Sequence, residues 1–330
     1  MTQRIAPTST GTPGQIRVTA ATGDKLRELE GETAVGRLPD LLRESASIVW
    51  VDLTSPSPEQ VSAVGAAMGL HPLIIEDVLE GNQRAKIEST DGVVHLVLFA
   101  LKHDERFIAS EIDMVLGLGF LLTVHDQSWD PRATHHLRNS LASIMADGAD
   151  HLLWSLADDV VDGYFPFADE LGEALDAVQD AVIGQTSPEA LEQLFTLKRE
   201  LIEVRRAASP TREVFNQLTN RDLPLIDEHE LVYFRDIYDH VIRLTDELDN
   251  YRELASSTLD VYLTQVNNNL SIIVKRLTGV TVILAGIGAL AGLFGMSEAA
   301  VEVGSFWLVA GTIVALAGVA ALVLRKIDWL

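Results

Sequence analysis

Apolar and polar positions change rhythm along this 330-residue chain, and each change marks a different kind of element. Over the first 135 residues or so, short apolar runs are punctuated by turn residues. Gln15–Ala20 and Ile48–Leu53 are β-branched runs, and Val93–Leu101 and Ile112–Leu116 alternate or run apolar, as strands do. Gly117–Leu118–Gly119 marks a turn into a further run, Phe120–Val124. Ser57–Pro58–Glu59–Gln60 supplies an N-cap Ser, a Pro at the first helical position and a Gln three residues after the cap. It opens a helix that Gly69 closes. The pattern predicts a mixed α/β domain over residues 16–150. The Thr-, Pro- and Gly-rich opening, residues 1–15, lacks the apolar core of a secretory signal and reads as a disordered tail.

From His151 the spacing turns helical. One apolar series runs from His151 to Val182, with Gly184 ending it. A second helix opens at Ser187–Pro188–Glu189 and runs to about Ala208, before Ser209–Pro210. Between Pro224 and Gly279 there is neither Pro nor Gly, and Leu231, Phe234, Tyr238, Val241, Leu244, Leu248, Tyr251 and Leu254 fall three or four apart. This predicts one continuous helix from about Leu231 to Met296, on the order of 100 Å long. Such a helix exceeds what its own chain covers, so neighbouring copies are expected against it.

The last rhythm is unbroken apolarity. Leu277–Ser297 and Val303–Leu324 carry no charge, and each is long enough to cross a hydrocarbon core of about 30 Å. Lys275, Arg276, Arg325 and Lys326 flank the pair, while the link Glu298–Glu302 carries only acidic charge. The positive-inside rule places the link outside and both chain ends in the cytoplasm. One hairpin encloses no pore, so a conduit would need several copies around an axis.

Composition narrows the partners. With 25 Lys and Arg against 48 Asp and Glu, the net charge of −23 argues against nucleic acid and favours cations near the surface. There is no cysteine, which removes disulfides and thiolate metal sites. Between Arg138 and Lys198 no Lys or Arg occurs, while Asp147, Asp150, Asp158, Asp159, Asp162 and others crowd the stretch. A solvated helical face and a cation-attracting surface both fit it. His135–His136 and His103 beside Asp104 form no catalytic spacing, and no enzyme is expected. Gly286–Ile287–Gly288 has no preceding strand and is not a nucleotide loop.

Several segments, in order, carry a family likeness: His71–Pro72–Leu73, Gln83–Arg84–Ala85–Lys86, Tyr233–Phe234–Arg235–Asp236, Asp260–Val261–Tyr262–Leu263, Val274–Lys275–Arg276–Leu277 and Gly292–Leu293–Phe294–Gly295–Met296–Ser297. From about Trp50 onward the chain resembles the CorA family of divalent-cation channels. The resemblance implies a funnel-shaped homopentamer in the inner membrane. Each subunit would hold a cytoplasmic α+β domain (a mixed α/β sandwich), then an acidic helical hairpin and stalk helix over residues 151–276. The membrane hairpin, residues 277–330, would have a pore-lining helix at about 277–296 and a peripheral one at about 303–324, against the membrane lipids.

The resemblance also assigns residues. The family's Gly-Met-Asn at the outer pore mouth becomes Gly295, Met296 and Ser297 here. Mg²⁺ keeps its waters, and a Ser hydroxyl is a shorter acceptor for them than an Asn carbonyl. Ser297 also reads as a simple cap of the helix end. Ser271, Val274, Ala285 and Gly288 stand at pore positions where the family carries larger or more polar side chains, and Leu277 fits its apolar constriction. Packing in the membrane explains the small residues equally, since Gly288 and Gly292 are four apart. Asp260 and Asp104 match an inter-subunit regulatory Mg²⁺ site. The implied activity is a potential-driven channel for divalent cations, gated by cytoplasmic metal. Mg²⁺ is expected first, with Co²⁺ or Ni²⁺ next. A Zn²⁺ transporter and a non-conducting metal-sensing scaffold are the alternatives.

Overall fold

The computed structural model describes residues 14–326 except 24, 45–46, 83, 105, 185–186, 222 and 296–302. Seven strands form one sheet: β1 (Gln15–Thr22), β2 (Lys25–Glu30), β3 (Ile48–Thr54), β4 (Lys86–Thr90), β5 (Val93–Asp104), β6 (Arg106–Gly117) and β7 (Phe120–His125). Their order is β2-β1-β3-β7-β6-β5-β4, and β3 with β7 is parallel while the other pairs are antiparallel. Side chains alternate along each strand, which gives the sheet two separate faces. On one, Val18, Val49, Val51, Leu53 and Leu122 pack with residues of four short helices: α1 (Glu32–Val35), α2 (Leu38–Leu41), α3 (Pro58–Met68) and α4 (Pro72–Glu80).

Helix α3 begins as its sequence dictates. Ser57 Oγ accepts from Gln60 N at 3.3 Å, and Gln60 Oε1 accepts from Ser57 N at 2.8 Å. Gly69 ends the helix at φ 71°, a left-handed position that costs Gly little.

The opposite face meets α6 (Ala149–Asp162), which follows α5 (Leu137–Asp147). A buried polar network lies there. Trp50 Nε1 donates to Thr123 Oγ1 at 3.0 Å, and Thr123 donates to Asp52 Oδ1 at 2.6 Å. His125 Nε2 donates to Asp52 Oδ1 at 3.0 Å and its Nδ1 to the Asp126 carbonyl at 2.6 Å. Burial alone would push His125 down, but the bond and charge of Asp52 outweigh it and its pKa rises. Two acceptors on two ring nitrogens favour the imidazolium.

Three further helices follow before the last: α7 (Phe165–Gly184), α8 (Pro188–Asn220) and α9 (Leu231–Gly295); α10 (Val303–Lys326) closes the chain. The expected helix from His151 to Val182 is in fact two, α6 and α7, divided at Gly163–Tyr164. Tyr164 is fully buried and donates to the Phe99 carbonyl at 2.7 Å, and burial pushes its pKa up to about 12. Pro166 then falls in the first turn of α7, where its missing N–H has no helical partner to lose.

The expected stop at Ala208 is also overturned, because α8 runs through Pro210 to Asn220. Pro210 cannot donate to the Arg206 carbonyl, a loss worth about 3 kcal/mol in a helix interior. The buried series Leu201, Val204, Ala208, Thr211, Phe215 and Leu218 continues straight past it. That packing outweighs the missing bond. The chain divides into two compact units, one comprising residues up to Ala177 with Gln193–Ala255, the other Val178–Glu192 with Ser256 onward.

Candidate functional site

The long helix α9 contains 65 residues and spans on the order of 100 Å. Phe234, Ile237, Val241, Leu244, Leu248, Ala255, Thr258 and Tyr262 are buried at steps of three, four or seven residues, all on one helical stripe. Gly172 of α7 allows one close crossing: a Cβ there would meet Tyr251 Oη at 2.5 Å. Tyr251 in turn donates to Glu247 Oε1 at 2.7 Å. Burial ends at Tyr262. Between Leu263 and Leu293 Gly279 is the one buried residue, and Ile283, Ile287 and Leu290 are half-buried; Val274 keeps 53% and Leu277 65% of its surface open. By length and apolar composition this helix can cross a membrane. Helix α10 is a second apolar helix, of 24 residues, with Arg325 and Lys326 in its last turn.

The predicted pore residues of α9 share a face. At 100° per residue, Asp260, Ser271, Val274, Leu277, Ala285 and Gly288 fall within an arc of about 120°. Ser271 donates from Oγ to the Asn267 carbonyl at 2.9 Å, so its hydroxyl is engaged along the helix. Asp260 is exposed, and its own carbonyl accepts from Thr264 Oγ1 at 2.8 Å. Asp104 ends β5 at the tip of the β5–β6 hairpin, opposite Arg106. Asp104 belongs to the first compact unit and Asp260 to the second. Gly295 is the last residue of α9, whereas Met296, Ser297, the link Glu298–Glu302 and residues 1–13 of the tail lie outside the described residues.

The structure assembles one cluster that the sequence reading passed over. Asp158 and Asp162, one turn apart on α6, meet His240 of α9, and one potential ligand atom from each lies within 4.8 Å of the others. His240 Nδ1 is buried without a hydrogen-bond partner among the described residues, 3.7 Å from Asp162 Oδ1. Its Nε2 lies 3.6 Å from Asp236 Oδ2. His136 Nε2 bonds Asp158 Oδ2 at 3.0 Å and orients that carboxylate. Burial, offset in part by this bond, raises the pKa of Asp158. Two carboxylates and an imidazole are a donor set for a divalent ion, and the orphaned ring nitrogen fits one. The visible signal was the i, i+4 pair of Asp; its third member stands 78 positions further on, beyond any local spacing.

Comparison with known proteins gives consistent results. The family described as "CorA-like Mg2+ transporter protein" matches residues 45–326. The "Cobalt/magnesium transport protein CorA" of Thermotoga maritima is 30% identical over 290 residues, which is 86% of this chain and 82% of that protein. The complete structure of the CorA magnesium transporter from Methanocaldococcus jannaschii superposes with a TM-score of 0.81 at 19% identity, covering 97% of this chain and 99% of that one. The ZntB cytoplasmic domain from Vibrio parahaemolyticus gives 0.61 at 13% identity, covering 78% and 100%. With a match that spans most of its length and a fold shared end to end, this chain belongs to the CorA-like Mg²⁺ transporter family.

Proposed function

We propose that several copies of this chain, five by family likeness, form a divalent-cation channel in the cell membrane, with the C-terminal half of α9 facing a shared axis. The observation that carries this reading is the end of the buried side-chain stripe at Tyr262 on an otherwise unbroken helix. The segments 277–296 and 303–324 are the two spans of each copy. Their basic flanks favour a cytoplasmic position for both chain ends. Leu277, the first residue past Lys275 and Arg276, forms an apolar constriction that excludes water when closed.

A divalent ion moving inward gains roughly 4.6 kcal/mol per 100 mV, twice the value for one charge, which suffices as a drive. Mg²⁺ is the first substrate, since hard carboxylates and hydroxyls dominate the acidic chain, with Co²⁺ and Ni²⁺ next. Gly295, Met296 and Ser297 form the outer mouth. Cytoplasmic metal at Asp260 and Asp104 biases the closed state, and Asp158, Asp162 and His240 offer a second cytoplasmic point of metal contact. A second reading, transport of Zn²⁺, is favoured by the imidazole in that cluster and by 28% identity over 102 residues to the "Zinc transport protein ZntB" of Yersinia pseudotuberculosis.

Purified protein in liposomes, challenged with Mg²⁺, Co²⁺, Ni²⁺ and Zn²⁺, separates these. Mg²⁺ flux that falls when metal is added on the cytoplasmic side is expected. Flux of Zn²⁺ alone selects the second reading. Silence for every divalent ion, with metal-dependent protection of the cytoplasmic domain retained, means a sensor scaffold. Ser297→Asn should raise Mg²⁺ flux or tighten block by a hexa-coordinated Mg²⁺ analogue; if neither changes, Ser297 does not face the ion.

A further inference from the structure

Arg84, of the segment Gln83–Arg84–Ala85–Lys86, stands beside three further arginines. A cleft of about 1050 Å³ in the first compact unit is lined by Arg84, Arg205, Arg206 and Arg252, with Phe99 and Ile202 on its apolar wall. Among the described lining residues Glu203 is the one carboxylate. Four guanidiniums around one cleft stand out in a chain with a net charge of −23.

Asp249 accepts from Arg205 Nε at 2.8 Å and from its Nη2 at 3.4 Å, which fixes the fork and leaves Nη1 outside that pair. The same carboxylate lies 3.7 Å from Arg252, and Asp249 is outside the described lining of the cleft. Arg206 meets Glu203 at 3.4 Å in an exposed pair of the kind that contributes little. Arg84 makes no ion pair or hydrogen bond with another described residue.

We propose that this cleft binds an oligophosphate group, carried either by a nucleotide or by a free polyphosphate. Planar guanidinium forks match phosphate oxygens two at a time, and several forks around one space suit several linked phosphates better than a single small anion. The volume is that of a small-molecule site, well beyond one phosphate. The acidic surface elsewhere repels anions, so binding is confined to the cleft.

The test is calorimetric titration of the full-length protein in detergent, with a chelator present so that metal exchange adds no heat. ATP, tripolyphosphate and adenosine are the probes. Binding of ATP or tripolyphosphate, with adenosine silent, is the expected result. Similar affinity for both assigns a free oligophosphate, and preference for ATP assigns a nucleotide. Arg84→Gln and Arg252→Gln should each weaken binding about tenfold, the loss of one charge-assisted hydrogen bond. Arg43→Gln, at an exposed arginine paired with Asp40 outside the cleft, should change nothing. Absence of binding by both phosphate probes, or equal affinity in R84Q and R252Q, overturns the proposal.

Discussion

Between Phe234 and Tyr262 the long helix α9 buries a stripe of mostly apolar residues, whereas from Leu263 to Leu293 its Leu, Ile and Val side chains are exposed or at most half-buried. The backbone is the same throughout; the sequence pattern is not. In the first part apolar residues form one stripe with charged residues between, and the chain's own helices cover that stripe. From Leu277 onward apolar residues surround the helix and no charge interrupts them. A helix apolar on all sides is stable only where lipid or other copies replace water. One helix thus serves two solvents, and the change falls within a few turns after Asp260.

Four substitutions or conditions sharpen this contrast, from the largest effect down. Phe234→Ala removes a fully buried ring from the covered part, and an apparent loss of about 3–5 kcal/mol is expected on denaturant unfolding in detergent. Ile283→Lys places a charge in the open part, away from the proposed pore face. It should cost about 2.5–3.5 kcal/mol in membrane integration, read from glycosylation-tagged insertion, while Glu253→Lys on the exposed side of the stalk leaves integration unchanged. Gly172→Leu drives a side chain into Tyr251 and should destabilise the covered part by about 1–3 kcal/mol, seen as a lower thermal midpoint.

The smallest effect concerns pH. His125 has a raised folded-state pKa, so its contribution is fully present below about pH 6.5, the ordinary value, and is lost as pH rises through the folded value. Stability measured from pH 6 upward should therefore fall over that window, and His125→Gln should flatten the fall.

The same contrast explains what could be read in advance. The continuous helix was legible because 54 residues without Pro or Gly leave no stop signal, and α3 was legible because its cap is local chemistry. Strands β2 and β4 were missed. Lys25–Glu30 and Lys86–Thr90 are short, mostly polar sheet edges, and charge on an edge strand hides the alternation that identifies an inner one. Pro210 misled because tertiary packing of α8 overrode a strong local breaker. The proposed pore face rests on the family likeness alone, since Ser271, Val274, Ala285 and Gly288 bear no signal of their own. The Asp158–Asp162–His240 cluster depends on α6 meeting α9, which no local pattern announces.

The most direct measurement of the pore assignment is single-cysteine scanning, made clean by a chain without native cysteine. Cysteine placed at Val274, Ala285 or Gly288 should let a charged thiol reagent block divalent flux in liposomes. Cysteine at Ile283 or Leu290, on the opposite side of the helix, should leave flux intact after the same treatment. Block at Ile283 and Leu290 with none at Val274, Ala285 and Gly288 would contradict the assignment of this face of α9 to the pore.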